Sequence, residues 1–189
     1  GTAFHHLAQR AIIACAAEPQ PRALRCPDQA AVQAQVRQGV LSAGQQERLH
    51  AALDRWFASA VAQRFATCEA IAAEVPFMVV IEGDGSKGPL YLEGEIDGLA
   101  DAGGGRAFLV DYKTGGSPAE QPEQLHAKHL QQASCYAYAL RDQGFNEVEA
   151  CFVRVEQPDP ADPDQPQVVS YRFAQADKEA LAASIYAAF

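Results

Sequence analysis

The sequence predicts a mixed α/β fold, a sheet with helices packed on it. Three observations predict this. Apolar residues keep a helical spacing over roughly the first 73 positions. From residue 74 to 112 the chain switches to β-branched and aromatic runs bounded by Gly and Pro. A second helical run then separates these from two more strand-like runs. With 189 residues, 48% hydrophobic and 21% charged, the chain can bury a proper core. That excludes a disordered or collagen-like chain. No apolar run approaches the ~18 residues of a membrane span. The N-terminus lacks a basic region followed by an apolar one, so no signal peptide and a cytoplasmic location are expected.

The elements follow in order. Thr2 is placed to cap a helix running to about Ala17, with Phe4, Leu7, Ala8, Ala11 and Cys15 on one face. Three prolines within residues 19–27 end it. A short helix is expected over 28–38. Ser42 then precedes a long helical run, from about Gly44 to Ala73, whose stripe is Leu49, Leu53, Trp56, Phe57, Val61, Phe65 and Cys68. Val75–Ile81, Leu90–Leu99 and Ala107–Tyr112 read as three strands. Their short glycine-rich gaps predict consecutive antiparallel pairing. A helix is expected over Pro122–Gln143, stopped by Gly144. Glu147–Val155 and Val168–Phe173 are the fourth and fifth strands, joined by an exposed connection, Gln157–Gln167, that holds four prolines. Residues 175–188 close the chain as a helix.

Asp plus Glu number 24 and Lys plus Arg 15, a formal charge of −9. Phosphate contacts dominate nucleic-acid affinity, so such a chain makes a poor free-standing nucleic-acid binder. The charge leaves room for an enzyme whose carboxylates hold metal ions, or one that receives DNA from a larger assembly. The five cysteines, Cys15, Cys26, Cys68, Cys135 and Cys151, form no C-x-x-C pair. A zinc knuckle or a disulfide framework is not indicated, and reduced thiols are expected.

Chemistry concentrates at the third strand. Asp111 and Lys113 alternate onto one face, while Tyr112 points away with its carbonyl beside the Asp111 carboxylate. Alone, this reads as a surface ion pair. Asp97, at the end of the preceding strand in GEID, changes that reading: antiparallel pairing would bring two carboxylates together. Those repel unless a cation lies between them, and magnesium prefers oxygen ligands. His5 lies at the edge of the first helix's apolar stripe, where a lone histidine is usually surface or satisfied core. Gln132 and Tyr136, four residues apart, share a helix face.

Five strings occur in order: GTAFHH from Gly1, EVPF at Glu74–Phe77, GEID at Gly94–Asp97, DYKTG at Asp111–Gly115, and Q-x-x-x-Y at Gln132–Tyr136. Together they resemble the RecB-type nuclease domain, a branch of the PD-(D/E)XK superfamily with a restriction-endonuclease-like core. The likeness is greatest to the C-terminal nuclease domain of RecB and AddA, fused behind a UvrD-like helicase. It spans residues 1 to about 140 and covers the sheet core.

The resemblance implies a divalent-metal-dependent DNA exonuclease acting in double-strand-break end processing. It implies His5, Asp97, Asp111 and the Tyr112 main-chain carbonyl as metal ligands, with Asp97, Asp111 and Lys113 catalytic. Gln132, Tyr136 and Glu74 would orient DNA or the ligands. The metal would be Mg2+ or Mn2+. Relatives with an iron–sulfur cluster use four cysteines in a spacing absent from this sequence, so no cluster is expected. Single- and double-stranded DNA, a helicase domain of the same polypeptide, and an AddB/RecC-like second subunit are the implied partners. Residues 1–189 are expected to form a single nuclease domain cut from a longer helicase-nuclease, with a helical part (1–73), a catalytic sheet core (74–155) and a closing strand and helix (167–189). Two alternatives stand beside this: an inactive DNA- or partner-binding remnant, and a free-standing phage-type exonuclease.

Overall fold

The computed structural model describes residues 1–83, 88–174 and 178–188. Four helices open the chain: α1 (Thr2–Ala16), α2 (Gln29–Gln38), α3 (Ala43–Ala58) and α4 (Ala60–Ala66). The strands are β1 (Ala70–Ile81), β2 (Leu90–Asp101), β3 (Arg106–Lys113), β4 (Glu147–Pro158) and β5 (Pro166–Ala174). Helix α5 (Pro122–Asp142) joins β3 to β4, and α6 (Lys178–Ala188) closes the fold. The sheet order is β1-β2-β3-β4-β5. Every neighbouring pair is antiparallel except β3–β4, which is parallel because α5 carries the chain back across the sheet. The mixed α/β expectation holds.

Local chemistry explains most boundaries. The Asp28 carboxylate accepts the Ala31 N–H and starts α2. Ser42 and Gln45 form a reciprocal capping box at α3. Pro122 opens α5, which ends just before Gly144. Thr2 does not cap α1: it is the first helical residue, and Gly1 holds the cap position.

The expected single helix from Gly44 to Ala73 is two helices and the start of a strand. Ser59 is the break. Its backbone is extended, its hydroxyl donates to the Trp56 carbonyl at 2.7 Å, and it accepts the Ala62 N–H at 3.1 Å. One buried side chain thus serves both helix ends. Residues 70–74 join β1 because the far end of β2, Gly98–Asp101, is there to pair with them. The proline-rich connection is shorter than expected, since β4 runs to Pro158 and β5 starts at Pro166. The first three residues of the expected closing helix, 175–177, lie outside the described residues, as does part of the Gly83–Pro89 loop.

Two apolar layers flank the sheet. One joins α1–α4 to Ile71, Ala100, Phe108, Val110 and Tyr112. The other joins α5 and α6 to Phe77, Val79, Ile81, Ile96 and Leu109. A regular strand keeps alternate residues on one face. Here β1 changes sides, Ile71 and Ala73 packing on the first layer but Val75, Phe77, Val79 and Ile81 on the second. The change falls at Glu74, whose φ is +51°. In β2, Ile96 and Ala100 are likewise split between the layers, on either side of Asp97. Glu74 and Asp97 lie at one level, between the paired couples Ala73–Gly98 and Val75–Ile96. Next to it Gly98 has to be bare: a Cβ there would lie 2.7 Å from Val110 Cγ2 and 3.2 Å from both Ile12 Cδ1 and Phe65 Cζ. The missing side chain lets α1 and α4 close onto the sheet beside Asp97.

Candidate active site

The switch in β2 sets up the site. The β2–β3 ladder pairs Gly98–Asp101 with Ala107–Val110 and then stops. At the next level the strands present Asp97 and Asp111. Asp97 therefore sits inside β2, not at its end, because the strand continues to Asp101. Its Oδ2 accepts the Tyr112 main-chain N–H at 2.6 Å. A side-chain oxygen thus satisfies a donor that the parted strands leave over.

His5 reaches the same oxygen from α1, with Nε2 at 3.3 Å, while Nδ1 lies 3.0 Å from the Gly1 carbonyl. The hydrogen bond that His5 donates to Asp97, helped by the Gly1 carbonyl and opposed by burial, pushes the His5 pKa up to about 9. The Tyr112 ring holds this arrangement together. It packs edge-on against Phe4, His5 and Trp56, with centroid distances of 5.2, 5.7 and 5.0 Å. It faces away from Asp111, as strand alternation requires.

Asp111 is 3% exposed. Its Oδ1 lies 2.6 Å from Lys113 Nζ, confirming that the two share a face. Its Oδ2 accepts from Tyr136 at 2.8 Å and from Gln132 Nε2 at 3.0 Å. Lys113 also donates to Gln132 Oε1 at 3.0 Å. The Tyr136 oxygen is 3.2 Å from the Glu95 carbonyl too, but its one proton goes to the nearer, charged carboxylate. Burial raises the Asp111 pKa, Lys113 opposes it and Asp97 adds to it. Burial and Asp111 hold the Tyr136 phenol far above its usual value.

Glu74 lies on the other flank of Asp97. Burial, a hydrogen bond to Glu95 and the charge of Asp97 push its pKa up to about 7. The structure therefore gathers the predicted residues in two groups: His5, Asp97 and Glu74 at the β1–β2 switch, and Asp111, Lys113, Gln132 and Tyr136 between β3 and α5.

Two contributors escaped the sequence reading. Glu95 hydrogen-bonds with Glu74, and its only signal was its place two residues before Asp97. Arg154 stands level with Lys113 in the β3–β4 register and is 2% exposed. It donates to the Ser117 carbonyl at 3.0 Å and to Glu120 at 2.5 Å, and Glu120 pairs with Lys128 at 2.9 Å. This chain of contacts ties the loop after Lys113 to α5. A lone Arg inside the apolar run FVRV was the available signal.

Among the described residues, no three His, Cys, Asp or Glu side chains stand close enough together to hold a metal ion as they lie. Lys113 and the Tyr112 N–H occupy the two carboxylates instead. The donor chemistry nevertheless suits a hard cation: two carboxylates at adjacent strand positions and one imidazole. Asp111 Oδ1 is buried and accepts no aligned hydrogen bond, despite the nearby ammonium.

The sequence profile of the PD-(D/E)XK nuclease superfamily matches residues 1–187. The chain belongs to that superfamily, and the five-stranded mixed sheet with flanking helices is consistent with its core. The class is that of nucleases, hydrolases of nucleic-acid phosphodiesters. No curated protein matches. Among solved structures, one described as the crystal structure of SSO0001 is 16% identical, with a TM-score of 0.38, over 60% of this chain and 47% of that one. The chain thus spans less than half the length of that protein. No helix among the described residues is long and apolar enough to cross a membrane.

Proposed function

We propose that this chain is a divalent-metal-dependent DNA exonuclease domain of the RecB/AddA type, working in DNA end processing behind a helicase of the same polypeptide. The observation that carries the reading is the convergence of Asp97 and Asp111 where β2 and β3 part, with Lys113 on Asp111. His5, Asp97, Asp111 and the Tyr112 carbonyl would hold Mg2+ or Mn2+. When bound, such an ion supplies a Lewis acid and a water of lowered pKa.

The chain's own residues do the rest. Lys113 brings a fixed positive charge to the phosphate as negative charge develops there. Gln132 bridges Lys113 and Asp111 and holds both at fixed rotamers. Tyr136 donates to the same Asp111 oxygen, Oδ2, that Gln132 contacts. Glu74, its pKa raised beside Asp97, keeps a proton close to that carboxylate. Arg154 fixes the loop that follows Lys113. With a charge of −9, the domain itself offers DNA little attraction, which supports a role fed by a motor and a second subunit.

The test is cleavage of end-labelled single- and double-stranded DNA with magnesium or manganese, for wild type, Asp111→Ala and Lys113→Ala. Metal-dependent loss of label by wild type, abolished in both variants, is the expected result. Cleavage that survives in both variants, or that needs no metal, overturns the reading.

A further inference from the structure

The Lys113 ammonium has a third neighbour besides Asp111 and Gln132. Its Nζ lies over the Phe152 ring, 5.2 Å from the centroid. An aromatic face carries negative potential and attracts a cation at that range. The sheet brings the two together. Phe152 is level with Asp111 in the parallel β3–β4 register, and both side chains lie on the α5 side of the sheet. Lys113, two residues on from Asp111, reaches back to set its Nζ against both the carboxylate and the ring.

The ring itself is fixed. Phe152 is fully buried. His129 stacks on it at 4.9 Å with the planes 10° apart, and Tyr136 lies near parallel to it at 6.3 Å. Tyr171 meets it edge-on at 5.6 Å. Burial, then the charges of Lys113, Lys128 and Arg154, lower the His129 pKa to about 4. Near neutral pH the ring therefore meets a neutral imidazole, and Lys113 is the cation it holds.

Asp111 has two demands on it. Here it pairs with Lys113 at 2.6 Å. The proposed reaction needs the same carboxylate for a divalent ion. A carboxylate shared with such an ion attracts an ammonium less, and the ion itself repels it. Gln132 offers Lys113 only a neutral acceptor, Oε1, at 3.0 Å. The Phe152 face holds the ammonium without drawing on a carboxylate. An aliphatic side chain would fill the space but has no such face. We propose that Phe152 is a positioning residue for Lys113, its ring keeping the ammonium in place while Asp111 serves a metal ion. The consequence for catalysis rests on the nuclease reading, whereas the contact itself can be tested without cleavage.

The probe is fluorination at residue 152 alone, from mono- to trifluorophenylalanine. Each fluorine drains negative potential from the ring face with little change of shape. Denaturant unfolding without added metal is the first readout. The folding constant should fall stepwise, by about 2- to 30-fold in all, the range of one cation–π contact. In Lys113→Met the same series should leave it unchanged. Equal losses in both backgrounds overturn the proposal, whether or not the chain is a nuclease. Cleavage of DNA with magnesium or manganese is the second readout. Over the fluorinated series kcat should fall in the same order and range while KM holds, and Phe152→Leu should lose at least as much. Wild type that cleaves DNA with a kcat indifferent to fluorination overturns the positioning role and leaves the nuclease reading standing. Wild type that cleaves no DNA removes both.

Discussion

The Asp97 carboxylate accepts the Tyr112 main-chain N–H at 2.6 Å, at the level where the β2–β3 ladder ends. This contact gives Asp97 two roles: it closes the sheet and it supplies a charge. The roles separate on substitution. Asp97→Asn keeps an oxygen for the N–H and should hold the fold, while losing at least about 100-fold in metal-dependent cleavage. Asp97→Ala should lose activity and also about 1–3 kcal/mol of stability, from the N–H left unpaired. Thermal melts beside cleavage assays distinguish the two. Equal activity in wild type and Asp97→Asn would remove Asp97 from the chemistry.

His5 should give the proposed metal site a pH dependence. Its pKa is raised to about 9 by Asp97, above the ordinary ~6.5. In the metal-free protein the His5–Asp97 contact therefore stabilises fully below about pH 6.5, and that contribution is lost as pH rises through about 9. Metal needs the neutral imidazole, so manganese affinity should rise with pH across the same window and binding should release a proton. Calorimetry in buffers of different ionisation heat reads that proton. His5→Ala should flatten the dependence.

Lys113 and Asp111 should be coupled. Removing the ammonium leaves a buried carboxylate without its cation. Lys113→Met should cost about 2 kcal/mol, less than the 3–5 kcal/mol of a fully buried pair because Lys113 is 29% exposed. Asp111→Asn in the same chain should recover much of that loss. Additive losses in a double-mutant cycle of denaturant unfolding would contradict the coupling.

His129 should shape the acid limb of stability. It stacks on Phe152 at 4.9 Å. Burial, then Lys113, Lys128 and Arg154, lower its pKa to about 4. The unfolded chain takes a proton near pH 6.5 and the folded chain only near 4, so stability is complete above about 6.5 and falls as pH drops toward 4. His129→Gln should flatten that decline. Unfolding free energies measured at several pH values provide the check.

Much of this was legible in the sequence, because period and punctuation carry it. The three middle runs are rich in aliphatic and aromatic residues, are separated by Gly-containing connections, and form the predicted antiparallel strands. What escaped is what side-chain type does not encode. Ser59 ends α3 through hydrogen bonds, with no Gly or Pro to mark the break. Ala70–Glu74, AIAAE, has helical propensity, and pairing with β2 overrides it. Glu74 turns the strand over at a positive φ that a glutamate rarely adopts, so nothing announced the change of face. The order of the motifs pointed to Asp97 and Asp111. It could not show Asp97 lying in mid-strand as the partner of a backbone N–H, or Arg154 behind Lys113, since both depend on register.

The central claim is that Asp97 and Asp111 converge to hold one divalent ion. Titrating manganese into wild type, Asp97→Ala and Asp111→Ala by calorimetry, with circular dichroism to confirm that each is folded, tests it most directly. The account predicts one site in wild type and none in either folded variant. Equal binding by all three, or no binding by wild type, would contradict it.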